Sequence, residues 1–247
     1  MCISPPGLAG IQIKDATLRR GGATVFDALS LHLSEARIGL IGDNGAGKSS
    51  LFRMICGLDR PERGEVHVHG VPPGATRFVG LMFQNPDDQI VFPTVEEELA
   101  LGLSSEGLKR AQALDRARAF LHGYGLGDWA GRAVSSLSQG QRQHVCWMSL
   151  RLAAHRVLLL DEPFASLDLP GQARLRAEID GAGSDVQIIV STHALEHVRD
   201  FERVIWLDAG RVRADGPGAV VCAAYLADVS ARIGKMSVHG PTCEAPA

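Results

Sequence analysis

Gly42-Asp43-Asn44-Gly45-Ala46-Gly47-Lys48-Ser49 follows the apolar run Ile38-Gly39-Leu40-Ile41 and precedes a helix-like stretch from Ser50 to Cys56. A buried strand, a glycine-rich turn and a helix start in that order build a phosphate cradle. Glycine lets backbone N–H groups close around an anion without side-chain clash, and the helix N-terminus adds positive dipole character at the same point. In this reading Gly42, Asn44, Gly45, Ala46 and Gly47 shape the cradle. Lys48 reaches the β- and γ-phosphates of a nucleotide, Ser49 offers its hydroxyl to Mg²⁺, and Ser50 bonds a phosphate oxygen. Such a cradle is shared by kinases, GTPases and transport ATPases, so the rest of the chain must choose among them.

The chain has 247 residues, 45% hydrophobic and 21% charged, enough for one large α/β domain or two small ones. A net charge of −3 and a pI near 6.3 argue against a general nucleic-acid binder. Five cysteines, Cys2, Cys56, Cys146, Cys222 and Cys243, are scattered without a CxxC or metal-ligand spacing, the pattern of reduced thiols. Met1 to Gly10 holds two prolines and no basic stretch, unlike a signal peptide. Apolar runs fall far short of the roughly 18 residues a membrane span needs, so a membrane role is expected to come through a partner.

Periodicity lays out the chain. Ile11-Gln12-Ile13 and Leu29 to Leu33 read as strands around a turn at Gly21-Gly22; Ile38 to Ile41, Val66 to His69 and Phe78 to Phe83 read as further strands. His67 and His69 fall on one strand face with no third ligand nearby, as solvated histidines do. From Asn85 to Ala154 the pattern turns helical: Thr94 caps a helix through Val95, Leu99 and Leu103, an apolar stripe runs from Leu108 to Leu121, and Ser138 starts a third helix. The α/β pattern resumes with the wholly apolar Val157 to Leu160, a helix from Gln172 to Ile179, a strand at Ile188 to Val190, a hairpin around Asp208-Ala209-Gly210, and a last helix from Ala219 to Ile233.

Leu158-Leu159-Leu160-Asp161-Glu162 sets two carboxylates at the end of a buried strand, where open α/β sheets place their chemistry. Asp161 is expected to hold Mg²⁺ through water, and Glu162 to polarise the water that attacks a γ-phosphate. With the cradle and this pair stand Gln84 after a strand, Leu137-Ser138-Gln139-Gly140-Gln141, Ser166-Leu167-Asp168, and His193 after a strand. In this set and order the chain, from Leu8 to Gly234, resembles the ATP-binding subunits of ABC transporters, whose signature reads LSGGQ; Gln139 stands where the first glycine of that pair would be.

The resemblance implies an α/β fold: a P-loop NTPase (RecA-like) core with antiparallel β elements and an inserted α-helical subdomain at about 85–154, followed by a flexible tail at 235–247. It implies ATP hydrolysis with Mg²⁺ held by Ser49, Gln84 and Asp161. Two copies would sandwich two ATP molecules, with Ser138, Gly140 and Gln141 of one copy facing the nucleotide of the other. Asp168 would communicate between the sites, and His193 would bond the γ-phosphate. Many members place an aromatic where Arg20 stands here; Arg20 either stacks on adenine or is a surface charge.

Gln84-Asn85-Pro86-Asp87-Asp88-Gln89-Ile90-Val91, followed by Pro93-Thr94-Val95-Glu96-Glu97, looks like the ATPases of energy-coupling-factor (ECF) uptake systems. Among those the chain looks most like the biotin transporter's ATPase, with cobalt and nickel systems next. The expected partners are a second copy or a paralogue, a transmembrane ECF scaffold and, through it, a substrate-binding membrane protein, at the cytoplasmic face of the membrane and without nucleic acid. Asp87, Asp88 and Glu96 to Glu98 either form an acidic groove for a basic scaffold helix or are a solvated helix start.

Overall fold

The computed structural model describes residues 10–74, 78–103 and 106–237. Its largest element is a six-stranded sheet built from β3 (Arg37–Ile41), β5 (Val79–Met82), β6 (Val157–Asp161), β7 (Gln187–Ser191), β8 (Arg203–Asp208) and β9 (Arg211–Gly216), in the order β5-β6-β7-β3-β8-β9. All neighbours in it are parallel except the β8–β9 hairpin. A second, antiparallel sheet carries β1 (Ile11–Arg20) between β2 (Ala23–Leu33) and β4 (Arg63–Val68).

The apolar runs are central strands because both of their faces are buried. Val157 and Leu159 turn to the core shared with the small sheet and α1 (Lys48–Cys56), while Leu158 and Leu160 turn to the opposite core. Ile189 and the pair Ile188 and Val190 divide the same way. That alternation over two buried faces is why parallel strands lose the polar half of their pattern. The opposite core is closed by α4 (Gln139–Leu152), α5 (Leu169–Asp180) and α6 (Gly218–Ser237).

A third core belongs to the helical insertion: α2 (Val95–Leu101), α3 (Arg110–Gly123) and one side of α4 meet through Leu99, Ala117, Leu121, Val145 and Met148. Helix α4 joins the units, since Cys146, Trp147 and Leu150 on its other side belong to the core beneath the sheet. Arg37 fastens the end of α5 to the sheet by donating to the carbonyls of Ile179, Ala182 and Val186. Helix α6 runs to Ser237, three residues into the expected tail; 238–247 lie outside the described residues.

Candidate functional site

The cradle is a set of backbone conformations that only glycine holds cheaply. Gly42, Gly45 and Gly47 have φ of 144°, 79° and 109°. Space also excludes a side chain at two of them: a β-carbon on Gly42 would lie 2.1 Å from the Leu207 carbonyl oxygen, and one on Gly47 2.9 Å from Cε1 of Phe26. The loop is braced by Ala46 N–H donating to Asp43 O (3.1 Å) and Gly210 N–H donating to Ala46 O (3.0 Å). No side chain caps α1, which leaves its first-turn N–H groups for an anion.

Lys48 is buried, and its ammonium donates to Gly42 O (2.8 Å) and Asp43 O (3.2 Å) and lies 3.4 Å from His193 Nε2. Burial pushes its pKa down, opposed by the charges of Glu162, Asp161 and Asp43. Asp161 ends β6 and is buried. Glu162 follows in the left-handed region, φ 48°, its N–H bonded to Ser191 O at 2.9 Å. One carboxylate oxygen of Glu162 accepts the backbone N–H of His193 at 3.2 Å; the other lies 3.2 Å from His193 Nε2 without hydrogen-bond geometry. Burial raises the carboxyl's pKa, His193 and Lys48 oppose the shift, and Asp161 adds to it. A buried, basic carboxylate with an unpartnered oxygen suits a group that must accept a proton.

A cavity of about 220 Å³ brings together Asn44, Gly45, Ala46, Gly47, Lys48, Ser49, Ser50, Gln84, Asp161, Glu162 and His193. Oxygens of Ser49, Gln84 and Asp161 around one polar cavity fit a hard divalent cation beside phosphates. Val25 of β2 also lines it, a residue that sequence reading missed because an apolar strand position carries no chemical mark.

Ser138, Gly140, Gln141 and Asp168 are absent from this cavity and line a second one of about 610 Å³ with Gln139, Trp129 and Arg174. Ser138 and Gln141 form a capping box on α4: Ser138 Oγ accepts Gln141 N–H (3.2 Å) and Gln141 Oε1 accepts Ser138 N–H (3.0 Å). Asp168 caps α5 by accepting Gly171 N–H at 3.0 Å. The cradle with its carboxylates and the capped N-terminus of α4 therefore lie in separate cavities of one chain.

Two expectations meet different surroundings. Arg20 is not among the residues lining the cradle's cavity; it ends β1 and pairs with Asp59 at 3.8 Å, just beyond α1. Most of the acidic residues expected to form a groove have partners within the chain, while Asp87 and Asp88 remain exposed. Glu98 is buried and accepts the N–H groups of Val91 (3.0 Å) and Phe92 (2.9 Å). Glu96 pairs with Arg118, Glu97 with Arg110 and Thr94, and Asp87 with Arg142. Val91, Phe92 and Leu101 are also exposed there, Phe92 and Leu101 lining a cleft of about 300 Å³ with Glu97 and Arg110.

A sequence model described as "ABC transporter" matches residues 26–165, more than half of the chain. The chain is 47% identical over 229 residues to the biotin transport ATP-binding protein BioM of Rhodobacter capsulatus, covering 91% of this chain and 97% of that one. It is 38% identical over 217 residues to the energy-coupling factor transporter ATP-binding protein EcfA of Methanoculleus marisnigri, covering 83% and 78%. Its fold matches that of cbiO1 from Clostridium perfringens, part of the ABC transporter complex cbiONQ, with a TM-score of 0.72 over 92% of this chain and 96% of that one at 23% identity. The matched span runs through the cradle, the capped helix and the paired carboxylates, and with it the chain belongs to the ABC transporter family as an ATP-binding, ATP-hydrolysing subunit.

Proposed function

We propose that this ATPase drives a biotin importer of the ECF type, as a homodimer attached through a transmembrane scaffold to the cytoplasmic face of the membrane. The observation that carries the solute is the identity to BioM, which spans nearly the whole of both chains. The likeness to EcfA supports the ECF type. Separate half-sites on one chain support the dimer, since a second copy related by a two-fold axis would bring each capped helix to the other's cradle. No described helix is long and apolar enough to cross a membrane, consistent with attachment through partners.

In this reading the N–H groups of α1 and the Lys48 ammonium bind the β- and γ-phosphates. Ser49, Gln84 and Asp161 would hold Mg²⁺, which supplies charge neutralisation at the phosphates when bound. Glu162 accepts a proton from the water that attacks the γ-phosphorus, its carboxylate held by the His193 N–H. His193, 3.4 Å from Lys48 Nζ, stands beside the γ-phosphate position. The contact face for the scaffold is the apolar one around Phe92 and Leu101. The test is co-expression with the candidate scaffold and substrate-binding proteins, reconstitution into vesicles, and measurement of ATP-driven uptake of labelled biotin, Co²⁺ and Ni²⁺. Biotin uptake that needs ATP supports the proposal. Metal-ion uptake alone replaces the solute, and failure to co-purify with any membrane protein overturns the transporter assignment.

A further inference from the structure

Asp43 puts a carboxylate into the loop that must accept a polyphosphate, and the structure shows what restrains it. Its Oδ1 accepts the Tyr225 hydroxyl at 2.7 Å, and its Oδ2 accepts the Arg232 guanidinium at 2.5 Å, both donors lying on α6. Asp43 and these partners are 182 and 189 residues apart in sequence. Tyr225 is fixed in turn by an edge-on contact with Trp206 of β8, ring centroids 5.2 Å apart. Arg232 also meets Asp228 (2.9 Å), and Asp228 meets Arg213 (2.6 Å), whose guanidinium lies over the Trp206 ring. Acids and bases thus alternate from the cradle along α6 to the β8–β9 hairpin.

The competing partner for Asp43 is Lys48. The Lys48 ammonium already rests on the Asp43 backbone carbonyl, and the Asp43 carboxylate is close enough to favour its charged form. A carboxylate free to turn toward Lys48 would occupy the cation that the phosphates need and repel the incoming anion. We propose that Tyr225 and Arg232 are positioning residues for nucleotide binding: they hold the Asp43 carboxylate against α6, so that Lys48 and the α1 N-terminus stay available to ATP. Two donors also hold the carboxylate strongly ionised, at a pKa of about 2, so the charge they restrain is fully present at neutral pH. The inference rests on the cradle binding ATP, and Lys48→Ala serves as the control for that reading.

The experiment measures the affinity of the full chain for a fluorescent ATP analogue with Mg²⁺, at about 50 and 500 mM salt, with thermal melting of each variant. Because Arg232 is half-exposed, Arg232→Ala should weaken binding only about two- to fivefold at low salt. The loss should shrink at high salt, where the charge it unmasks is screened. Arg232→Lys should keep most of the affinity, Tyr225→Phe should lose part of it, and Asp43→Asn combined with Arg232→Ala should recover most of it. Rescue by the second substitution is the decisive result, because a helix that merely packs against the loop would not be repaired by removing a charge. Unchanged affinity in both Arg232→Ala and Tyr225→Phe overturns the proposal, as does a loss that Asp43→Asn does not reverse. Should Arg232→Ala not fold, Tyr225→Phe with and without Asp43→Asn gives the same comparison. If Lys48→Ala binds normally, the cradle reading fails instead.

Discussion

A β-carbon on Gly47 would meet both an adverse backbone angle, φ 109°, and the ring of Phe26 at 2.9 Å. Gly45 has a left-handed φ of 79° but open space around it. The two positions therefore separate conformational strain from steric exclusion. Gly45→Ala should cost about 1–3 kcal/mol of stability, the span for a non-glycine residue held in such a region, and Gly47→Ala should cost more because Phe26 must also move. Urea unfolding of both variants checks the order; equal losses would mean that the Phe26 ring yields freely. At the reacting end of the cavity, Glu162→Gln keeps shape and loses the basic oxygen. ATP hydrolysis should fall by about 10²- to 10⁴-fold while ATP binding persists. A phosphate-release assay beside a binding titration tests this, and undiminished turnover removes Glu162 from the chemistry.

Among elements, the short acidic helix α2 shows how a charge run becomes structure. Glu98 receives two backbone N–H groups from Val91 and Phe92, so it fastens the segment after Gln84 to α2. Glu98→Ala would leave two part-buried donors without their acceptor, at the lower end of about 1–3 kcal/mol each, while Glu98→Gln keeps an acceptor and should cost less. Hydrogen exchange at Val91 and Phe92 should quicken in the alanine variant and change little in the glutamine one; no change in either would dismiss the contact. Contacts of this kind also mark what was legible beforehand. The runs Ile38 to Ile41 and Val157 to Leu160 announced buried strands because both faces are covered, and the spacing of Ser138 and Gln141 is a local capping pattern. The cradle and the paired carboxylates were legible for the same reason, since a strand end and the turn beyond it carry their chemistry in consecutive residues. Ion pairs across the fold leave no such trace. Asp87 meets Arg142 from 55 residues away, and Asp43 meets Arg232 from 189. Arg20 likewise ends beside Asp59 because the hairpin lies over the end of α1, a tertiary fact absent from either segment alone. The α2 charges read either as a surface for a partner or as a solvated helix start because the apolar stripe of α3 gives no sign of which helix its arginines will face.

For the whole molecule, the separation of the half-sites makes a prediction that neither residue nor element can. If each ATP lies between the cradle of one copy and the capped α4 of the other, damage to the two surfaces must segregate. Lys48→Ala spoils the cradle alone. Gly140→Asp places a carboxylate at the α4 N-terminus, where a β-carbon meets only Leu167 and Ser166 at 3.5 and 3.6 Å, ordinary contact distances that the fold tolerates. Each variant by itself has two defective composite sites per dimer. In a mixed dimer both defects fall together in one site, and the other site joins an intact cradle to an intact helix. With Glu162→Gln added to each chain to stop turnover, neither variant alone should associate when given ATP and Mg²⁺. Their mixture should associate through the intact site, and every dimer that forms should contain one chain of each kind. Light scattering on the separate and mixed proteins reads the result. Association of Gly140→Asp alone would show that α4 does not face the partner's phosphates, and no association in the mixture would show that a single intact composite site cannot hold the two copies together.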